Sequence, residues 1–342
     1  PPVLAATGPL GPGSRVLFGS TDRGYDAFNG LFFGGGFWLD RQHNFGLGVS
    51  GFWTEKQSTS TVIGSDATGS PAIARPFFNP QLVGLGGQDA IFVSSPGRSA
   101  GTLTVDTEAQ LGGGEVNGFL NLTNTRSCTT VMVLGFRYFD LEESLFISQV
   151  TRGLNGNTIP FFGNLAGVSA VTVSDLFQTR NQFYGGQAGL ETEYRMGAVF
   201  LDAGVKVGLG PVHQVTEVSG QTLGPDGTGG SGGVLAVGAS PIGNIGRTTT
   251  NRFAILSDVH GMLGVQIFDR VRVGVGYQFL YLSNVARPGS QIVTTIDPRL
   301  IPITTSFGGR IPTSPRGVPP LTPFDRDDFF MHGVQFLLEF HF

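Results

Sequence analysis

Five histidines, one cysteine and a scatter of serines are the residues of this chain that could carry covalent or metal chemistry. His213 and Glu217 lie four residues apart, a pair that could hold a metal or act as a base. None of His43, His213, His260, His332 and His341 stands at a ligand spacing such as HExxH. A solvated or hydrogen-bonded role fits each of them better. Cys128 is alone, so it supports neither an internal disulfide nor a zinc site built on cysteine pairs. No GxSxG elbow occurs. The clusters Gly34-Gly35-Gly36 and Gly112-Gly113-Gly114 are followed by no GK[ST], so they do not read as phosphate loops. The expectation is a protein that is not an enzyme, with no cofactor and no metal.

A second set of residues is charged and more ordered. Arg137, Glu191, Glu193, Asp202, Lys206, Arg252, Asp258, Arg272 and Glu339 each fall on the polar side of an alternating stretch. Asp202 and Lys206 share a face, as do Arg252 and Asp258. Such residues could line an aqueous pore and set its selectivity by charge. They could equally pair into an ion network that fills a narrow interior, because unpaired buried charge is costly.

Those side chains need strands to hold them. Charged residues make up 13% of the chain, against roughly 25% in a typical globular domain. Glycine is abundant, with 54 residues, and 29 of the aromatics are Phe. A charge balance of −4 gives nucleic acid no basic face to bind. No run of 18 apolar residues reads as a membrane helix. The chain opens Pro-Pro-Val-Leu without a basic or apolar leader, which fits a leader already removed or a trimmed start.

Period-two alternation recurs instead. Val199, Leu201, Ala203, Val205, Val207 and Leu209 oppose Asp202, Gly204, Lys206 and Gly208. Val271, Val273, Val275, Tyr277, Phe279 and Tyr281 oppose Arg272, Gly274, Gly276 and Gln278. At the end, Phe330, Val334, Phe336, Leu338, Phe340 and Phe342 share one face. Apolar alternation kept to a terminal Phe resembles the assembly signal of outer-membrane barrels, with Phe336, Leu338, Phe340 and Phe342 as its residues. Alternating segments of about 10 residues, ending in aromatics, are the signature of a transmembrane β-barrel.

Connections alternate in length. Asp40–Asn44, Asn124–Cys128, Tyr194–Gly197 and Ile267–Arg270 are short; 55–99, 151–174, 220–248 and 286–328 are long. The expected fold is all-β: a transmembrane antiparallel barrel of 10 strands, with 12 as the alternative, short periplasmic turns and long extracellular loops. The tenth strand is expected near 14–20, after a lead-in over 1–13, so that residues 14–342 form the barrel. Apolar residues change parity across 100–123, at Gly112-Gly113-Gly114, which suggests a β-bulge. The segment ARPFFNPQ (74–81) and the proline-rich 286–323 region are expected to cover the barrel mouth or to join an assembly.

The stretches GFRYFDLEESL (135–145), TRNQFYGGQAGLETEYR (179–195), KVGLGPVHQVTEVSGQT (206–222) and GYQFLYLSNVARPGSQI (276–292) are longer than generic barrel text. With FGLGVSGFW (45–53) and GVQFLLEFHF (333–342), they resemble the planctomycete-type outer-membrane β-barrel family, beta-barrel protein seven. The likeness runs from about Gly13 to Phe342. It implies an integral outer-membrane barrel and supplies no catalytic residue. The functional expectation is a porin-like channel for passive diffusion of small hydrophilic solutes or ions. The alternative is a closed structural barrel whose outer loops build a surface assembly, and a surface hydrolase ranks last. Expected partners are outer-membrane lipids, the barrel-assembly machinery and a homo-oligomer or surface lattice, and no nucleic acid.

Overall fold

The computed structural model describes residues 3–6, 13–19, 25, 27–81, 87–240, 242–305 and 327–341. Gln57–Gly64 and Gly229–Ser231 add short side pairings to a single antiparallel sheet, and along it, among the described residues, nine strands follow one another. They are β1 (Gly30–Trp38), β2 (Phe45–Thr54), β3 (Ser99–Asn124), β4 (Cys128–Gly153), β5 (Ala170–Met196), β6 (Val199–Leu223), β7 (Gly246–Phe268), β8 (Val271–Val285) and β9 (Asp327–Phe340). Each pairs with the next in chain order. Short turns join β1 to β2, β3 to β4, β5 to β6 and β7 to β8, and their end of the sheet is called the lower end below. In the first turn, Asp40 accepts backbone N–H bonds from Asn44 and Phe45. The Phe45 bond leads in holding its carboxyl below the ordinary carboxylate range.

The strand count differs from the expectation. Val16–Gly19, expected as a tenth barrel strand, belongs to a separate four-stranded sheet with Val3–Ala6, Ile73–Phe78 and Gln88–Ser94. Residues 3–6, expected as lead-in, are one of its strands. Among the described residues β1 and β9 are not paired, so the path does not close on itself. The sheet nevertheless curls strongly. Phe139 on β4 lies 6.0 Å from Phe52 on β2 and 6.2 Å from Phe329 on β9, centroid to centroid.

No bulge interrupts β3 at its glycines. Gly112, Gly113 and Gly114 pair in unbroken register with Asp140, Phe139 and Tyr138, and the irregularity lies lower, between Asn121 and Thr123. The parity change has another cause. Leu103, Val105, Ala109, Leu111 and Asn117 are all buried on one face, while Val116 and Leu122 are exposed. The strand keeps its sides, and the sides change character. Above Gly112 the inner face is apolar and the outer face carries Asp106, Glu108 and Gln110. Below it the inner face carries Glu115 and Asn117 and the outer face is apolar.

The other long strands invert at the same place. On β4 the outward residues change from Leu134, Phe136 and Tyr138 to Asp140, Glu142 and Ser144, while Phe139, Leu141, Leu145 and Ile147 are buried inside. One register row marks the border. Tyr138 pairs with Tyr184, their rings 5.1 Å apart. Two residues higher, Asp140, Gln182, His213 and Asn251 form a continuous polar row across β4 to β7. Below the border the outer face is apolar for about the length that a tilted strand needs to cross a bilayer. Leu201, Val205, Val207 and Leu209 on β6, and Val275, Tyr277 and Phe279 on β8, are exposed there.

The described parts of the long connections fold back into the upper half. Val93 and Ile73 from the small sheet, Val234–Val237, and Ile296 and Ile301 pack against Leu103, Ile147, Val173 and Phe177 of the wall. The segment 74–81 turns inward: Arg75 is buried and donates to Asp175 Oδ2 at 2.6 Å. Asp175 Oδ1 also accepts the backbone N–H groups of Val234, Leu235 and Ala236. One buried carboxylate thus ties two connections to the wall, and its own desolvation is offset by four donors.

Candidate functional site: the interior charge network

The lower interior is where the charged residues gather. Arg137 enters from β4 and donates to Asp258 Oδ2 on β7 at 2.7 Å, with Glu115 3.8 Å from its other terminal nitrogen. Lys206 from β6 reaches Glu115 Oε1 at 2.6 Å and lies 3.7 Å from Glu191. Arg272 from β8 donates to Glu193 at 2.8 Å and lies 3.6 Å from Glu339. His260 is 3.1 Å from Asp202. Neutral donors complete the set: Gln187 and Ser50 donate to Glu115, and Gln278 donates to both oxygens of Asp258.

Alternation explains the convergence. Each of these side chains occupies an inward position below the border, and the curl brings inward positions of non-adjacent strands together. Glycines make room for them. A Cβ on Gly204 would sit 2.4 Å from the His260 ring, and one on Gly264 would sit 2.2 Å from Phe200, over which Arg272 stacks.

Eight of the nine charged residues singled out from the sequence lie in this network, namely Arg137, Glu191, Glu193, Asp202, Lys206, Asp258, Arg272 and Glu339. Their partners are not those suggested by spacing. Lys206 bonds Glu115 rather than Asp202, and Asp258 bonds Arg137 rather than Arg252. Arg252 is exposed. It lies beyond the last regular β7–β8 pair near Leu256 and Leu282, where β8 no longer walls it in. Sequence reasoning missed Glu115, because the parity change beside it was taken for a bulge. It also missed Gln187 and Gln278, whose neutral side chains carry no charge signal.

Directly above the network lies an apolar layer. Leu111, Phe139, Leu141, Phe183, Val212, Leu256, Leu280, Leu282 and Phe329 form one buried cluster. Above that layer, Glu143 is buried and accepts from Tyr25 Oη at 3.0 Å and from Arg287 Nε at 2.9 Å. Going up, the interior therefore passes through ion pairs, packed rings and the infolded connections.

The remaining candidates lie elsewhere. His213 is on the outer face, with Nδ1 2.8 Å from Asn251 Oδ1. Among the described residues no three His, Cys, Asp or Glu side chains gather as a metal site. Phe336, Leu338 and Phe340 are exposed on the outer face of β9, and Phe342 lies outside the described residues.

An antiparallel all-β sheet curled round its own ion pairs, with an apolar band outside, has the build of a porin-like barrel. The family profile described as Putative beta barrel porin-7 matches residues 4–342, and the chain belongs to that family. Membership supports a porin-like protein of the outer membrane. Comparison with curated proteins and with solved structures gave no match.

Proposed function

We propose that the chain is a plugged porin-type barrel of the bacterial outer membrane, closed at rest. This is the structural alternative weighed from the sequence, brought forward by the geometry of the interior. The observation that carries it is the apolar layer, in which Phe139 lies against the rings of Phe52 on β2 and Phe329 on β9. Water and ions find no favourable path through packed Leu and Phe side chains. Passive diffusion of small hydrophilic solutes through this barrel requires the layer and the infolded connections to part. The apolar outer band takes membrane lipid, with β9 and its outward Phe residues serving assembly. No catalytic role is assigned to any residue, and the upper rim is the surface for an oligomer or lattice.

Planar-bilayer recording of the folded, heat-modifiable chain tests the reading. The intact chain should show no discrete current steps. Phe139→Ala combined with Phe329→Ala removes both rings and should give steps. Stable steps from the intact chain would overturn the closed reading in favour of a diffusion channel. Their selectivity should then respond to neutralising Arg137, Lys206 or Arg272.

A further inference from the structure

The two ends of the sheet pose a problem that strand polarity answers. β1 and β9 both run toward the short-turn end, since nine alternating strands begin and finish in the same direction. Both are exposed along their outer faces: Leu31, Phe33 and Phe37 on β1, and Val334, Phe336, Leu338 and Phe340 on β9. In lipid, every unpaired backbone N–H and C=O of an open edge costs several kcal/mol. An antiparallel partner for either edge must ascend. The ascending strands β2, β4, β6 and β8 are already paired on both sides. A second copy in the same membrane also offers only descending edges. Gln57–Gly64 also ascends and pairs on one side only, but it lies above Gly112, beside residues 102–109 of β3. Within the apolar band, the free partner left among the described residues for each edge is therefore the other edge.

The register supports such a join. One row of paired residues can be followed across the whole sheet: Gly36, Gly48, Asn117, Gly135, Gln187, Gly208, Leu256, Leu282, Phe329. It begins near the lower end of β1 and finishes near the upper end of β9. A closed barrel needs such a slip. Strands tilted 35–45° and spaced about 4.8 Å require roughly 9 to 13 residues of offset for nine strands. The offset must be even, so that inward residues stay beside inward residues. A slip of about 10 sets Gly36 beside Glu339 and Phe32 beside Gln335, which levels the lower ends of the two strands.

We propose that the barrel closes by parallel pairing of β1 with β9, giving a nine-stranded wall with one parallel seam. This rests on the outer-membrane reading, since an open edge is tolerated in water. Along the seam the inner lining includes Gly34, Gly36 and Gly333. Parallel pairing is also slightly weaker per residue than antiparallel pairing.

Disulfide mapping in native-like membranes tests the seam, in a Cys128→Ser background. Val273→Cys with Leu338→Cys spans an observed antiparallel pair and serves as the positive control. Heat-modifiability and resistance to carbonate extraction test the outer-membrane reading separately. Phe32→Cys is combined in turn with Gly333→Cys, Gln335→Cys and Leu337→Cys, and Phe33→Cys with Phe336→Cys. The expected result is intramolecular cross-linking, seen as a mobility shift, strongest for the Gln335 and Phe336 partners and lost on reduction. With the control linked, absence of linkage at every seam pair would overturn the proposal and point to an ascending strand between the edges. Cross-linked dimers in place of a shifted monomer would overturn it in favour of edge-to-edge contact between copies.

Discussion

Arg137 faces two carboxylates inside the curled sheet, Asp258 at 2.7 Å and Glu115 at 3.8 Å. Replacing it leaves buried negative charge without its main counter-charge, a change that costs about 3–5 kcal/mol where a buried pair is broken. Arg137→Met should therefore lower the unfolding free energy by that amount, seen as a lower urea midpoint for the loss of heat-modifiable migration. Asp258→Asn in the Arg137→Met background should recover part of the loss, because the stranded charge is gone. Arg137 was legible from sequence because an arginine between Phe136 and Tyr138 breaks an apolar alternation on the polar side. Its partners were not. Which strand faces β4 across the interior depends on curl, and curl leaves no mark on a single strand. Arg252 shows the complementary failure: parity gave its side correctly, yet burial depended on where β8 stops.

At the scale of the strand, height decides what a substitution does. Leu263 on β7 is outward and exposed below the border, whereas Glu142 on β4 is outward above it. Leu263→Arg should cost about 2–4 kcal/mol, the range for a cation at a barrel's lipid-facing midplane. Glu142→Arg, which gives up an exposed ion pair with Arg180, should cost no more than about 1 kcal/mol. Refolding into vesicles across a urea series compares the two directly. Equal costs would deny that the border separates lipid from water. The strands themselves, their short turns and their order were readable, because period two survives from turn to turn. The reversal within one strand was not, because a parity change has two physical causes, an extra residue or a new solvent. On β3 the glycines sat where either would put them.

For the whole molecule, the two tryptophans report the placement. Trp53 is exposed on the outer face of β2, while Trp38 lies on the inner face of β1 stacked on His43 at 5.5 Å. In vesicles of brominated lipid, Trp53 should be the quenched residue. Trp53→Phe should abolish most of the quenching and Trp38→Phe should leave most of it. The reverse pattern would turn the sheet inside out. Membership of a porin-like barrel family was readable from long motifs spread over nearly the full chain. The filled mouth was only hinted at, by Phe and Pro in the connections. Contacts between residues 100 apart in sequence, such as Arg75 with Asp175, are decided by the fold and not by local pattern.

The length of β3 to β6 has a mechanical consequence. These strands have 26, 26, 27 and 25 residues, and the wall continues unbroken above the polar row. On β4 the part from Phe139 to Gly153 amounts to about 50 Å of strand, or roughly 35–40 Å of vertical rise at barrel tilt. The crown is thus carried on a stiff pillar rather than on tethers. On the outer-membrane reading proposed above, a molecule that docks there would be held at a fixed stand-off from the bilayer, and pulling on it would load the β-wall directly.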